Sequence, residues 1–304
     1  MLVLRHGAGI EGIVMPSPLP RPSRWRLAAL LLAATGAATS SGAEPAKAGP
    51  PQRIISLNLC ADQYLLELAD RSQIAALTVN AADPEMSAAA SRAKGIRLIN
   101  RSIEEILVID PDLIVGMPAR RSAVAEALKD RNIRLLDLQS AESYAEIVTQ
   151  TRTAAAAIGQ SERGEAIIRR MNADLAALPK GTGSGVAAYY QRRGFMTGTG
   201  TLVDDLMKRV GLTNLAARLG KPVLAHLSLE ELIAAQPDWL IVESATRDVK
   251  DQGTEMLHHP ALRHIPRLYL PQAWTVCGGP AYVLAARSLV EQIAAARTRS
   301  RPAP

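Results

Sequence analysis

A chain of 304 residues can bury two hydrophobic cores, and a 48% hydrophobic content supplies them. Aromatic residues make up only 3%, with a single Phe, so Ala, Leu, Ile and Val must build the cores and every aromatic near a loop becomes a candidate contact. The formal charge of +6 does not mark a nucleic-acid binder: Arg5, Arg21, Arg24 and Arg26 against Glu11 account for +3 of it, and the other Lys and Arg are spread among acids at helical spacing.

The first element in chain order is an export signal. Arg21, Arg24 and Arg26 form a basic stretch, residues 27–38 are an apolar run, and small residues lead to Ala43, after which cleavage is expected. The run is 12 residues, against roughly 20 for a spanning helix. Residues 1–14 do not resemble the start of a signal, so Met15 is an alternative first residue. No Cys follows the run closely enough to be lipidated. The mature chain is therefore expected free in the periplasm, beginning with a Pro/Ala/Gly linker over 44–52.

Residues 53–141 read as an α/β lobe. The apolar runs 53–57, 74–79, 112–116 and 133–137 are short, bounded and partly β-branched, as buried parallel strands are, and helical patterns separate them at 61–69, 102–109 and 121–129. From Ser143, which forms an expected capping box with Glu146, the pattern turns helical. It stays so to Leu178, broken only near Gly159, and Ile167, Met171, Leu175 and Leu178 mark an apolar stripe. A helix over 161–178 would span roughly 27 Å, enough to join two lobes. Residues 181–304 read as a second lobe, with strands over 186–190, 239–243 and 267–270 and a last helix over 281–296.

An internal repeat supports two lobes. Residues 102–115, SIEEILVIDPDLIV, recur as residues 228–241, SLEELIAAQPDWLI. In each copy Ser and the second Glu (Ser102 with Glu105, Ser228 with Glu231) suit a capping box, and Pro111 and Pro237 stop the helix before a strand. The first Glu of each pair, Glu104 and Glu230, is left for the helix dipole and solvent.

The order of these segments resembles the cobalamin and iron-siderophore class of periplasmic binding proteins. The likeness runs over residues 53–297 and includes RIISL from Arg53, GTGTLVDDL from Gly198, HPAL from His259 and LYLP from Leu268. It implies a class III fold, two Rossmann-like lobes with mostly parallel sheets bridged by a single long helix. It further implies an ABC importer's binding protein that catalyses no reaction, is monomeric, needs no cofactor and holds a metal chelate between its lobes. Glu104 and Glu230 match the acids with which that family docks on Arg residues of the permease dimer, itself coupled to an ATPase.

Ligands of such sheets bind outside the carboxyl ends of the strands, where Cys60, Tyr190, Arg192, Arg193, Trp274 and Cys277 fall. An aromatic and a guanidinium suit a planar or carboxylate-bearing chelate. Three readings of Cys60 and Cys277 stay open: buried thiols, a cross-lobe disulfide, or two ligand contacts. His226, His258, His259 and His264 raise a zinc or manganese binder as an alternative, although residues 8–225 contain no His to complete a bridging site. A periplasmic hydrolase with Cys60 or Ser56 as nucleophile is the other alternative, without a supporting elbow motif.

Overall fold

In the computed structural model, which describes residues 49–179, 181 and 183–300, the apolar runs of the first half form a five-stranded parallel sheet. The expected signal segment lies outside the described residues. The strands β1 (Ile54–Ser56), β2 (Ile74–Thr78), β3 (Leu98–Ile99), β4 (Leu113–Gly116) and β5 (Arg134–Asp137) stand in the order β3-β2-β1-β4-β5. Helices α1 (Leu59–Leu68), α2 (Ile103–Ile109) and α3 (Ala123–Ala127) connect them. Strands β1 and β4 are buried on both faces, which is why they read as unbroken apolar runs. The chain steps outward from β1 to β2 and β3 and then returns to β4 on the other side of β1. That reversal opens a crevice at the carboxyl ends of β1 and β4.

The second sheet repeats the device. Of β6 (Val186–Tyr189), β7 (Phe195–Thr197), β8 (Thr213–Asn214), β9 (Leu224–His226), β10 (Trp239–Glu243) and β11 (Arg267–Leu270), four are parallel in the order β11-β10-β6-β8. Their reversal lies between β6 and β10. The other two, β7 and β9, form an antiparallel ribbon that sequence patterning did not reveal.

Between the sheets run α4 (Tyr144–Ala157) and α5 (Ser161–Ala176). Gly159 breaks them at φ +77°, where a side chain would meet Pro50 as well as an unfavourable backbone region. Helix α5, roughly 24 Å long, leaves the first lobe where Arg163 pairs with Asp70 at 2.6 Å and reaches the second where Asp174 pairs with Arg287 at 3.4 Å. The remaining helices, α6 (Leu202–Arg209), α7 (Leu215–Arg218), α8 (Leu229–Ala235) and α9 (Tyr282–Ser300), belong to the second lobe.

One apolar core passes through both lobes. It joins Ile54, Leu113 and Val115 of the first sheet to Ala187, Tyr189 and Ile241 of the second, by way of Tyr64, Ile168, Leu206 and Leu289 on the helices between. Separating the lobes would expose this surface, at about 25 cal/mol per Å². A disulfide reinforces the same junction: Cys60, in the first turn of α1, is bonded to Cys277 in the loop after β11, with Cα atoms 5.4 Å apart. One turn along α1 the Tyr64 hydroxyl donates to the Gly278 carbonyl at 2.7 Å.

Two residues along α1 from Cys60 lies a buried acid. The Asp62 carboxylate accepts hydrogen bonds from the Thr78 backbone N–H at 3.0 Å and the Thr78 hydroxyl at 2.5 Å, with no exposed surface of its own. Burial outweighs these bonds and the more distant Arg101 charge, raising its pKa from 3.8 to about 6. The folded chain thus holds this proton more tightly than the unfolded chain does. The contribution of Asp62 to stability is largest below pH 3.8 and is lost as pH rises through about 6. The difference is on the order of 3 kcal/mol. We expect Asp62→Asn, which cannot ionise, to flatten the stability profile between pH 4 and 6 in denaturant titrations; an unchanged slope would show that Asp62 does not titrate there.

Candidate functional site

Two adjoining cavities open at the carboxyl edge of the second sheet, against the segment entering α4. One, of about 250 Å³, is lined by Tyr189 and Gln191 at the end of β6, Glu243 at the end of β10, Gln272 and Thr275 after β11, and Glu142 ahead of α4. The other, of about 440 Å³, shares Gln191, Glu243 and Gln272 and adds Arg192, Phe195 and Leu224. The shared residues follow β6, β10 and β11, so the basin sits at the strand-order reversal. Apart from Glu142, every residue lining the two cavities belongs to the second lobe.

Tyr190 is corrected by strand geometry. Successive side chains of β6 point to opposite faces of the sheet. Tyr189 therefore lines the basin, whereas Tyr190 is buried in the outer core, donates its hydroxyl to the Leu227 carbonyl at 2.9 Å, and cannot touch a ligand. The Tyr190 phenol is pushed up to about 12 by burial and by the charges of Glu230 and Glu231. Burial and then the Glu243 charge likewise push the Tyr189 phenol well above its ordinary range. Tyr189 stays protonated and can donate a hydrogen bond.

Of the three readings of Cys60 and Cys277 the structure has the disulfide; Cys277 is buried, Cys60 is half-buried, and neither lines the two cavities. Trp274 is half-buried against the core, while Gln272, Thr275 and Val276 around it face the cavity. Arg192 does reach the second cavity, held to Asp251 at 2.7 Å.

The acids of the repeat divide their work. Ser102 and Ser228 each accept from the backbone N–H three residues on, at 3.1 and 3.2 Å. The full capping box forms only in the second copy, where Glu231 also pairs with Lys221 at 2.8 Å; in the first, Glu105 accepts from the Asn100 N–H instead of its own cap. Glu104 and Glu230, at the second position of α2 and α8, are exposed and make no hydrogen bond or ion pair among the described residues.

Residues 54–267 match the periplasmic binding protein family. The chain belongs to that family. It is 22% identical over 216 residues to a cobalamin-binding protein of Halobacterium salinarum, an alignment covering 69% of this chain and 58% of that protein. It is 28% identical over 145 residues to the Fe(3+) dicitrate-binding periplasmic protein FecB of Escherichia coli, covering 46% and 48%. The matched region thus spans about half the length of these relatives. The periplasmic heme-binding protein RhuT of Roseiflexus superposes with a TM-score of 0.64 at 24% identity, covering 81% of this chain and 98% of that one.

In this periplasmic binding protein the nucleophiles of a hydrolase reading are engaged elsewhere. Cys60 is in the disulfide, and the buried Ser56 hydroxyl donates to the Asn58 carbonyl at 2.9 Å. The histidines are scattered: His226 stacks edge-on against Phe195, a ring nitrogen of His258 bonds the Thr246 carbonyl, and His259 caps the turn at Ala261. Among the described residues no three His, Cys, Asp or Glu gather where they could hold a metal ion.

Proposed function

We propose that the chain is exported to the periplasm, captures a metal chelate between its lobes and delivers it to an ABC permease dimer driven by its ATPase. The chelate class is a ferric siderophore or a corrinoid or haem-like tetrapyrrole. The observation that carries the reading is the basin at the strand-order reversal, walled by Tyr189, Gln191, Glu243 and Gln272 and closed by residues ahead of the bridging helices. The ligands named for the relatives, cobalamin, ferric dicitrate and heme, agree with it in class. Neutral amides and hydroxyls can meet a chelate's periphery, while Phe195, Leu224 and Val276 supply apolar contact. Binding is complete without covalent change, and the protein acts as a carrier, one molecule per chelate. Glu104 and Glu230, with their unused carboxylates, face the permease.

The test is a spectroscopic titration of the purified chain with cyanocobalamin, haemin and a set of ferric siderophores. One chelate is expected to bind at one equivalent with micromolar or tighter affinity, and absence of binding by all of them would contradict the proposal.

A further inference from the structure

Resting on that carrier reading, we infer that the cleft selects its chelate by charge, accepting cationic or neutral complexes and disfavouring anionic ones. Two carboxylates face the 250 Å³ cavity, Glu142 and Glu243, and neither forms an ion pair among the described residues. Glu243 also lines the larger cavity, and its described side-chain partners are neutral, the Gln191 amide at 3.3 Å and the Tyr189 phenol. The other groups that line the smaller cavity are uncharged.

The position most suited to an anion is already filled. The N-terminus of α6 opens on this cavity through Thr201 and Leu202, and there the Glu142 carboxylate accepts the Leu202 N–H at 3.2 Å. The positive end of the helix dipole is thereby offset by a protein carboxylate before any ligand arrives. Arg192, the one Lys or Arg among the described residues lining the two cavities, is paired with Asp251 at 2.7 Å. Tyr189, held protonated beside Glu243, adds a donor but no charge. An anionic chelate entering this basin would meet two like charges in a partly dehydrated space. A cationic chelate, or one edged with amide N–H groups, would meet acceptors.

The test varies charge within each chelate class. Diaquocobinamide, cyanocobalamin and a cobalamin carboxylate give a cationic, neutral and anionic corrin series; ferrioxamine B, ferrichrome and ferric enterobactin give the same order among siderophores. In whichever series binds, the cationic or neutral member is expected to bind at least about tenfold tighter than the anionic one, the scale of a charge juxtaposition across an interface. Glu243→Gln, and separately Glu142→Gln, should narrow that gap while keeping the wild-type unfolding temperature, and the gap should shrink in wild type at high salt. Tightest binding by the anionic member, or a gap unchanged in both variants, would overturn the inference while leaving the carrier reading intact. No binding by either series would overturn the inference, and no binding by haemin as well would overturn the carrier reading too.

Discussion

Replacing Glu104 and Glu230 together by Lys is expected to abolish uptake in cells that lack the native protein, with chelate affinity and thermal unfolding preserved. Each acid occupies the second position of a short helix, and the two are 126 positions apart in equivalent copies of one repeat. The neighbouring Glu of each pair is consumed locally, by Asn100 in one lobe and by Ser228 and Lys221 in the other. This leaves one unengaged Glu per copy of the repeat, matched in number to the two subunits of a permease dimer. A single exposed ion pair contributes only about 0.2 to 1 kcal/mol, so either replacement alone should leave measurable transport. Reversing both charges turns attraction into repulsion at both contacts and slows the encounter itself. Normal uptake by the double variant would reduce the two acids to complements of their helix dipoles.

Removing the disulfide has the largest expected effect on stability. The bond joins residues 217 apart, across the junction of the lobes. In the chain-entropy account a closed loop of that length constrains the unfolded state by about 5 kcal/mol. For a chain of this size such a loss corresponds to a fall in melting temperature on the order of 10 °C or more. We expect Cys60→Ser with Cys277→Ser, and equally the reduced wild type, to show this drop in calorimetry. The core through Tyr64, Ile168 and Leu289 and the Tyr64 bond to Gly278 should still hold the lobes together. Equal melting temperatures for oxidised and reduced protein would mean that packing alone fixes the junction.

The lobes were legible from sequence because their central strands are buried on both faces and announce themselves as short apolar runs, as at residues 54–56 and 239–243. Strand β3 was not, since two residues at a sheet edge, one of them exposed, carry no periodicity. The ribbon of β7 and β9 was hidden for the same reason: Phe195 and Leu224 are apolar yet face outward. The site was legible in position but less so in identity. Topology directs attention to the loops after β6 and β10, yet the choice between Tyr189 and Tyr190 depends on which face of β6 is outer, and Ala187 and Ala188 give no contrast to decide it. Glu142 could not be assigned from sequence, because its role comes from the chain passing the second lobe before entering α4.

The central claim, that a metal chelate is held between the lobes, is tested most directly by a crystal structure of the chain with the chelate that its titration identifies. The chelate is expected at the carboxyl edge of the second sheet, contacting Tyr189, Gln191, Glu243 and Gln272 on one side and Glu142 ahead of α4 on the other. A chelate bound instead at the outer surface around His258 and His259, with this basin empty, would contradict it.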